Sequence, residues 1–562
     1  MPLVAEKLHA ALAAHRLVNL TGPLGVGKTR LAAGLTDAAR VDLDRPGALT
    51  ALDRALTDAT PRLLVVDGVD GRHRRDALHE VFERLPQHGP NLLVVSRTPV
   101  TADPRWAHTG AVVVPLGPAC DGRIAVQAAA LDCETRALVI RLAGGIPLLA
   151  DAARRALESG RSPAVPGAVA DQVAGEVLER LGRELPGRRW QHSLRQLATV
   201  RSGDERLLRG GPDHFSSFAS LSLVRRGPLG LEIAEPYRTV FELAYQWRKP
   251  EAHRATRTRA RAYRLDTLAV TGEPGVRADL AEQGLFLSGD RLLRKELFPA
   301  RDCSVLIRRA HAQDADDIGR LMRAWAVHSG FDRRRCDQLT ERWAGDDITA
   351  FHMAHDAYGK VIGLAGLMPT GPRAADSLEP LLQQHSQALQ QGGLFLGAAH
   401  CPDPAVRAHV LRHILRTAVE GGRLIVSTAN PDYQTLVRSL GFTIHGGISD
   451  DFYRCGRPPE VSSHDFAPDR LPSWLGRLCD GPQNSVGALA PGPRLAPKEL
   501  RILLDYTSGM TLKSAARRSG VTLNTAKDYI KRIKTKYRLA GRPAYTKIDL
   551  AQRVREDGLD GL

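Results

Sequence analysis

The stretch that decides the fold of the N-terminal part of this 562-residue chain reads Gly22-Pro-Leu-Gly25-Val-Gly27-Lys28-Thr29. It matches G-x-x-x-x-G-K-[ST] in full, the pattern of a loop that wraps a phosphate group. The segment 16–21 (RLVNLT) precedes it as a strand would, and the segment 30–35 (RLAAGL) follows it as a helix would. Glycines let backbone N–H groups approach phosphate oxygens, and the start of a helix adds positive potential. The sequence therefore predicts a phosphate-binding P-loop between a strand and a helix.

Two residues of this loop have specific expected roles. We expect Lys28 to reach the β- and γ-phosphates of ATP, and the Thr29 hydroxyl to bind Mg²⁺. A chance glycine-rich turn is the alternative, and the flanking segments argue against it. The residues expected to bind nucleotide in this stretch are Gly22, Gly25, Val26, Gly27, Lys28, Thr29 and Arg30.

A carboxylate follows the next apolar run. Residues 62–67 (RLLVVD) end in Asp67, which we expect to hold Mg²⁺ together with Thr29. Asp70, three residues later, is a candidate to assist catalysis. Gly68 occupies the position where many ATPases place a second acid, so the sequence contains no obvious strong base.

Two further segments complete this block. Residues 91–97 (NLLVVSR) end in Arg97, which is either a sensor of the γ-phosphate or a surface arginine. Residues 142–149 (LAGGIPLL) predict a helix broken by a turn that contains Pro147. The alternation of strands and helices over residues 1–150 predicts a parallel α/β sheet.

Taken in order, the segments TGPLGVGKTRLA, LLVVDGVD, LLVVSRT and LAGGIPLL resemble the STAND class of AAA+-related ATPases. They are most similar to the NB-ARC-like modules of bacterial regulators. The resemblance implies a switch in which ADP holds a closed monomer and ATP permits opening and oligomerisation. It also implies that Pro147 lies against the nucleotide base, that ATP or ADP with Mg²⁺ is the cofactor, and that turnover is slow.

Residues 151–300 are mostly helical in pattern, with apolar residues three to four positions apart. Residues 187–247 resemble the winged-helix segment that follows such ATPases, with a helix at 195–198, a helix at 218–226 and a β-wing from 231. The resemblance implies an intramolecular clamp on the nucleotide, and a DNA-binding winged helix is the alternative. In the family a histidine near the last strand of this segment contacts the nucleotide phosphate. In this chain Glu235-Pro236 occupies that region.

Residues 303–455 return to a mixed α and β pattern that resembles a GNAT acetyltransferase. Strands are expected near 348–355 and at 361–369, 394–399 and 423–428, with a helix at about 404–420. The family's R/Q-x-x-G-x-G/A loop is replaced by CPDPAVRAH at 401–409, which has no glycine, and Asp403 there would repel a pyrophosphate. We therefore expect a degenerate fold used for sensing or contacts. Tyr433 is either a general acid or a packing residue.

Composition restricts the cellular setting. The seven cysteines are scattered without a CxxC pair, which argues against a disulfide framework or a zinc site and favours the cytoplasm. No apolar run approaches the roughly 18 residues of a membrane span, and the N-terminus does not have the pattern of a secretory signal. Residues 456–493 contain seven prolines and are expected to form a linker.

The last part of the chain, residues 494–562, is strongly basic. The whole chain carries 78 Lys and Arg against 62 Asp and Glu, a net charge of +16. Between residues 494 and 555 the sequence has 16 basic and 4 acidic residues, which is most of this excess. Such a concentration of positive charge is typical of a nucleic-acid-binding module.

Three helices are expected in this part, at 495–504, at 511–519 and from 522 to about 537. The third places Ala526, Ile530, Ile533 and Tyr537 on one apolar stripe. The segment resembles a LuxR/NarL-type helix-turn-helix, including Glu499 and Lys536. The alternative is a basic helical bundle that binds protein. The residues expected to contact DNA are Thr522, Asn524, Thr525, Lys527, Asp528, Lys531, Arg532 and Lys534.

The sequence thus predicts a multidomain α/β and all-α chain: a P-loop NTPase parallel sheet, a helical and winged-helix segment, a GNAT-like α+β domain and a C-terminal helix-turn-helix. The favoured function is a cytoplasmic, nucleoid-associated transcriptional regulator whose nucleotide state controls oligomerisation and DNA binding. Double-stranded DNA and a homo-oligomer are the expected partners, RNA polymerase is a further candidate, and no membrane is expected. The alternatives are a DNA-targeted N-acetyltransferase and a DNA-binding scaffold with a vestigial ATPase.

Overall fold

The structure is a computed structural model. It describes residues 2–480 without 46, 58–61, 71, 85–88, 186, 302, 304, 357–358, 372–374 and 387–391, and then residues 493, 495–539, 544 and 547–556. The chain divides into two compact units, residues 1–481 and 482–562.

The first unit begins with a parallel sheet, which we call the P-loop block (residues 2–158). Its strands are β1 Leu17–Thr21, β2 Ala38–Asp42, β3 Leu63–Asp67, β4 Asn91–Ser96 and β5 Val112–Pro115. Its helices are α1 Pro2–Ala14, α2 Lys28–Ala33, α3 Ala48–Thr57, α4 Arg72–Glu83, α5 Asp121–Gln127, α6 Cys133–Ala143 and α7 Pro147–Glu158. The strand order is β2-β3-β4-β1-β5.

All pairings in this sheet are parallel, as the sequence predicts. Buried Asn19 reinforces the β1–β4 pair, because its Nδ2 donates to Val94 O and to Ser96 Oγ, both at 2.9 Å. Strand β2 was not predicted. Its sequence AARVD has a single fully buried residue, Val41, and it lies at the sheet edge.

The middle of the first unit is helical around a small sheet. Its elements are α8 Pro166–Leu181, α9 Arg189–Val200, β6 Ser202–Gly203, α10 Glu205–Leu208, α11 Pro212–Ala219, β7 Val224–Gly227, β8 Gly230–Ile233, α12 Tyr237–Arg248, α13 Pro250–Val270, α14 Pro274–Phe286 and α15 Arg291–Leu297. The three strands are ordered β6-β8-β7.

The prediction of a helix over 218–226 in this winged segment (residues 187–247) was wrong. The helix lies earlier, in α11, and residues 224–227 form the first strand of the wing. Val224 faces the core while Arg225 and Arg226 are exposed, and Val224 and Gly227 pair with Ile233 and Gly230 of β8. The tight connection between β7 and β8 selects a hairpin over a helix.

The rest of the first unit, the mixed-sheet block (residues 305–480), contains seven strands in the order β14-β15-β13-β12-β11-β10-β9. Only β12 and β13 pair in parallel among these strands. The elements are β9 Leu306–Arg309, α16 Ala315–Ser329, α17 Arg333–Asp347, β10 Phe351–His355, β11 Val361–Pro369, α18 Ala375–Leu382, β12 Leu394–His400, α19 Pro404–Gly421, β13 Arg423–Thr428, α20 Pro431–Ser439, β14 Thr443–Gly447, β15 Glu460–Asp465 and α21 Leu471–Asp480.

The prediction of a linker over 456–493 was wrong for residues 460–480. Strand β15 pairs on both sides, with β13 and with β14, and its Val461 is fully buried. Pro472 lies in the first turn of α21, a position that tolerates proline because the first N–H groups of a helix have no intrahelical acceptor. Residues 481–492 of the predicted linker lie outside the described residues.

The second unit contains helices at the three predicted places, followed by a fourth that was not predicted. They are α22 Pro497–Thr507, α23 Leu512–Arg518, α24 Leu523–Leu539 and α25 Lys547–Glu556. The stripe predicted on α24 is buried against this bundle, and Leu550 of α25 packs in the same core. The predicted multidomain α/β and helical fold class is confirmed.

An ion pair joins the first and third helices of this unit. Buried Glu499 accepts from Lys536 Nζ at 2.6 Å and from Ala496 N at 2.8 Å. Burial acts to raise the pKa of Glu499, but the bonds from Lys536 and Ala496 N and the nearby positive charges together outweigh it, and the pKa is lowered. The carboxylate therefore stays charged and holds α22 against α24.

Within the described residues, none of the helices combines the length and the apolar character needed to span a bilayer.

The apolar stripe of α24 gives a stability prediction. Ile533 is 0% exposed, so Ile533→Ala should lower the free energy of unfolding of the C-terminal helices by about 2–5 kcal/mol through a cavity. Native-state hydrogen exchange of the α24 amides in the full chain measures this loss. Lys531→Ala, on the exposed face of the same helix, should change it by less than about 0.5 kcal/mol. Equal exchange rates in both variants would contradict the assignment of this face to the core.

Candidate nucleotide-binding site

The loop between β1 and α2 has a backbone that requires glycine. Gly22 and Gly25 have φ of 153° and 74°, conformations that side-chain-bearing residues rarely adopt. A Cβ on Gly22 would lie 2.3 Å from Leu116 O, and one on Gly25 would lie 2.3 Å from Leu148 Cβ. The predicted glycines thus let the loop pack closely against the chain that follows β5 and against α7.

Lys28 is held inside this loop. Its side chain folds back so that Nζ donates to Gly22 O at 2.7 Å and to Pro23 O at 3.0 Å, and the residue is 8% exposed. Burial lowers its pKa to about 8, although Asp70 and Asp67 act to raise it. The bonds of the buried ammonium group are to neutral carbonyl oxygens, so an ion pair with an incoming phosphate would stabilise its charged form.

The two residues predicted to hold Mg²⁺ are in direct contact. Thr29 Oγ1 donates to Asp67 Oδ2 at 2.6 Å, and Asp67 Oδ1 accepts from Gly68 N at 2.7 Å. Mg²⁺ prefers oxygen ligands and usually keeps several of its own waters. A hydroxyl and a carboxylate at the edge of an open site meet both requirements. Thr29 and Asp67 therefore fit the ion. Arg30, the residue after Thr29, is exposed to solvent.

Arg97 is the centre of a buried polar network. Its Nε lies 3.1 Å from Asp70 Oδ2, and its backbone N–H donates to Asp70 Oδ1 at 2.8 Å. On its other side Nη1 donates to Ser222 Oγ at 2.6 Å and forms an ion pair with Glu184. The side chain is only 14% exposed, so the surface-arginine alternative was wrong.

This network spans two parts of the unit. Arg97 and Asp70 belong to the P-loop block, whereas Glu184 follows α8 and Ser222 precedes the wing. Glu184 also accepts from Ser222 N at 2.8 Å and from Ser222 Oγ at 3.0 Å. Burial lowers the pKa of Arg97, and neighbouring Asp70 acts to raise it. Asp70, predicted as a catalytic aid, is thus engaged in holding Arg97.

A second contact from the winged segment was not predicted. The buried Tyr237 hydroxyl, at the start of α12, donates to Leu24 O in the P-loop. Pro236 packs so closely on Gly144 that a Cβ there would lie 2.6 Å from the proline Cβ. No motif identifies Tyr237, since a tyrosine at the start of an amphipathic helix is ordinarily a core residue.

The turn that contains Pro147 also reaches the loop. Pro147 is the first residue of α7, where its missing N–H costs nothing. The next residue, Leu148, donates its backbone N–H to Gly25 O at 3.2 Å. The structure therefore brings together the P-loop, Asp67, Arg97 and the region of Pro147, as the sequence predicts. Val26, a residue of the P-loop itself, is buried.

The predicted DNA-contact residues lie on one helix of the second unit. Thr522 Oγ1 accepts from Thr525 N at 3.2 Å and so caps α24. Thr525 and Lys534 are half-buried. The exposed members of the set are Thr522, Asn524, Lys527, Asp528, Lys531 and Arg532.

In the mixed-sheet block, the start of α19 is already occupied by a carboxylate. Asp403 Oδ1 accepts from Ala405 N at 2.8 Å and from Val406 N at 3.3 Å. These are the amides that a pyrophosphate at this helix start would need. Burial raises the pKa of Tyr433 to about 12, and the tyrosine lines an apolar cleft of about 60 Å³ between β12 and β13.

No protein-family model matches this chain, and no curated protein is significantly similar to it. Among solved structures, a Walker-type ATPase of Pyrococcus abyssi is 15% identical, covering 42% of this chain and 94% of that chain with a TM-score of 0.31. A single-residue variant of RuvB from Thermotoga maritima is 19% identical, covering 44% and 94% with a TM-score of 0.27.

A third similar structure is FeeM, an N-acyl amino acid synthase from uncultured soil microbes. It is 16% identical and covers 31% of this chain and 93% of that chain, with a TM-score of 0.24. The three neighbours include the two kinds of fold that the sequence indicated, an ATPase and an acyltransferase-like domain.

The lowered pKa of Lys28 gives a test of phosphate binding. At pH 8 about half of the free protein carries a neutral Lys28, and a bound triphosphate would restore its charge. Binding of MgATP should then take up about half a proton at that pH, rising as the pH increases from about 7 to about 9. Isothermal titration calorimetry in buffers of different ionisation enthalpy measures this uptake.

Lys28→Arg provides the matched control, because arginine stays charged throughout this range. We expect it to bind MgATP without proton uptake. Proton release by the unsubstituted chain, or equal uptake in both proteins, would show that Lys28 does not meet the phosphates.

Proposed function

We propose that this chain is an ATP-binding transcriptional regulator in which the state of the nucleotide controls DNA binding by the C-terminal helices. The observation that carries the proposal is the shared position of Arg97. It lies beside Asp70 of the P-loop block and also bonds Glu184 and Ser222 of the following segment. A single guanidinium group thus connects the candidate nucleotide site to the part of the chain that would move.

The switch follows from competition for Arg97. ATP would place a γ-phosphate near Lys28 and Asp67, and a phosphate is a strong partner for a guanidinium group. Arg97 would then exchange Glu184 for the phosphate, which weakens the hold of the P-loop block on the winged segment. ADP lacks this group and would leave the ion pair intact. Opening of the clamp would permit oligomerisation.

DNA binding is proposed on charge and exposure. Lys527, Lys531 and Arg532 are exposed on one helix whose opposite face is buried. Lys and Arg on such a face neutralise phosphates, and Asn524 beside them is a candidate to read base edges. A regulator of this kind would associate with the bacterial nucleoid as an oligomer, with RNA polymerase as a further candidate partner.

Two alternatives stay open to test. An N-acetyltransferase is disfavoured because Asp403 already occupies the amides at the start of α19. A scaffold with a vestigial ATPase would also bind DNA, but its DNA binding would not respond to nucleotide. Any ATP hydrolysis should be slow, because Asp70 is engaged with Arg97 and Gly68 offers no second acid.

The deciding experiment measures DNA binding by the full chain to genomic fragments at fixed salt with ADP, with ATP and without nucleotide. The proposal expects ATP to change affinity or stoichiometry in the unsubstituted chain and not in Lys28→Ala. Specific binding that ignores both nucleotide and Lys28 would establish the scaffold. Absence of specific DNA binding under all conditions would overturn the regulator assignment.

The ion pair of Arg97 gives a sharper prediction. Glu184→Gln removes the charge that holds Arg97 in the closed state, so the variant should oligomerise at a lower ATP concentration than the unsubstituted chain. Glu179→Gln, an exposed change of equal charge on α8, should behave like the unsubstituted chain. Light scattering during an ATP titration distinguishes them. An unchanged ATP requirement in Glu184→Gln would exclude Arg97 as the switch.

The basic face of α24 predicts a salt-dependent loss of DNA affinity. Lys531→Ala should weaken binding to all sequences and reduce the slope of log K against log salt by about 1. Lys498→Ala removes the same charge from an exposed position of α22 and should leave the slope unchanged. Fluorescence anisotropy over a salt series gives both slopes. Equal slopes in the two variants would place the DNA elsewhere.

A further inference from the structure

A cavity of about 470 Å³ lies beside the candidate magnesium site. It is bordered by α2, by the strands β2 and β3, and by the first turn of α3. Thr29 and Asp67, the two residues that fit Mg²⁺, form part of its wall, and Asp42 is a third lining residue with a side-chain oxygen. No motif identified Asp42, because strand β2 itself was not predicted.

The register of the sheet places Asp42 next to Asp67. The two residues are partners in the parallel pairing of β2 with β3, and each is the last residue of its strand. Side chains of paired residues point to the same face of a sheet, and neighbouring strands lie about 4.8 Å apart. The two carboxylates therefore emerge side by side at the edge where the P-loop lies.

The absence of a side chain at Gly68 leaves room for Asp42. A Cβ on residue 68 would lie 3.3 Å from Asp42 Oδ1 and 3.1 Å from Asp44 N, and the φ of this glycine is 75°. A second acid at position 68 would strain the backbone and crowd these atoms. The place beside Asp67 where such a side chain would begin is therefore taken by Asp42.

The carboxylate of Asp42 is accessible from the cavity. Its side chain is 45% exposed. Oδ1 accepts from Asp44 N at 3.0 Å, and Oδ2 lies 3.6 Å from Nε of Arg45, whose side chain is 82% exposed. An ion pair this exposed is weak and does not fix the carboxylate. Each carboxylate oxygen has two acceptor sites, so these contacts leave others open to water.

The two neighbouring carboxylates lack a strong cationic partner. Among the described residues, their only direct ion pair is the exposed one between Asp42 and Arg45. Arg40, which also lines the cavity, donates instead to Ala33 O and Leu35 O. Adjacent negative charges repel each other unless positive charge compensates them. A divalent cation at this edge of the sheet would supply that charge.

We propose that Asp42 is the second carboxylate of the magnesium site and binds the ion through one of the waters that Mg²⁺ retains. This inference rests on the proposed binding of ATP. Mg²⁺ in nucleotide sites is held by one or two carboxylates together with the phosphates, and it keeps several waters. Thr29 and Asp67 meet the ion from α2 and β3, and Asp42 meets its water shell from β2. Asp42 is thus a positioning residue for the ion.

The test compares the affinity of the full chain for ATP in excess Mg²⁺ and in EDTA, measured by calorimetry at fixed ionic strength. In the unsubstituted chain Mg²⁺ should strengthen the binding of ATP. In Asp42→Asn this strengthening should be smaller by about tenfold or more, because a lost water-mediated or outer contact commonly lowers metal affinity by that factor. A tenfold change is 1.4 kcal/mol.

The same variant should not weaken the binding of ATP in EDTA. Loss of a negative charge beside the phosphates removes repulsion, so this affinity should be equal to or higher than that of the unsubstituted chain. Asparagine retains an oxygen that can accept from Asp44 N, so the local turn is kept. A purely structural role for Asp42 would lower both affinities, and that result would overturn the proposal.

Asp37→Asn is the matched control. Asp37 is exposed immediately before β2, at the opposite end of the strand from Asp42, and its φ of 58° suits asparagine as well as aspartate. It should leave both affinities unchanged. An undiminished magnesium effect in Asp42→Asn would overturn the role of Asp42 alone. Failure of the unsubstituted chain to bind ATP, or full binding by Lys28→Ala, would reject the nucleotide site and this inference together.

Discussion

The parallel direction of the five strands in the P-loop block is the constraint on which the candidate site depends. Because β1, β3 and β4 run the same way, the residues that follow them emerge at one edge of the sheet. This places the P-loop, Asp67 and Arg97 together although they are far apart in sequence. Buried Asn19 strengthens the β1–β4 pair from within, with Ser96 directly before Arg97 as one of its acceptors.

The central strands of the first sheet, and four of the seven strands of the mixed sheet together with α19, could be predicted from the sequence. Apolar runs such as 63–67 and 361–369 are long and distinct, and the glycine pattern of the P-loop demands a particular backbone. Strand β15 was missed because Val461 is its only apolar residue and because the prolines near it suggest a linker. Its burial comes from pairing with β13 and β14, which no local pattern reveals.

The candidate site was predictable only on the side of the P-loop block. Lys28, Thr29 and Asp67 follow from motifs with fixed spacing. Glu184 and Tyr237 are more than 80 residues further along the chain than Arg97 and contact this block through tertiary packing alone.

Tyr237 and Arg238 are consecutive residues at the start of α12, and they face different surroundings. The first bonds the P-loop at Leu24, while the second donates from Nη1 to Ala198 O of α9 at 3.3 Å. Neighbouring side chains on a helix point about 100° apart, so a small rotation of α12 about its axis displaces both at once. A rotation of α12 would therefore change the bond of Tyr237 to Leu24 O and that of Arg238 to Ala198 O together.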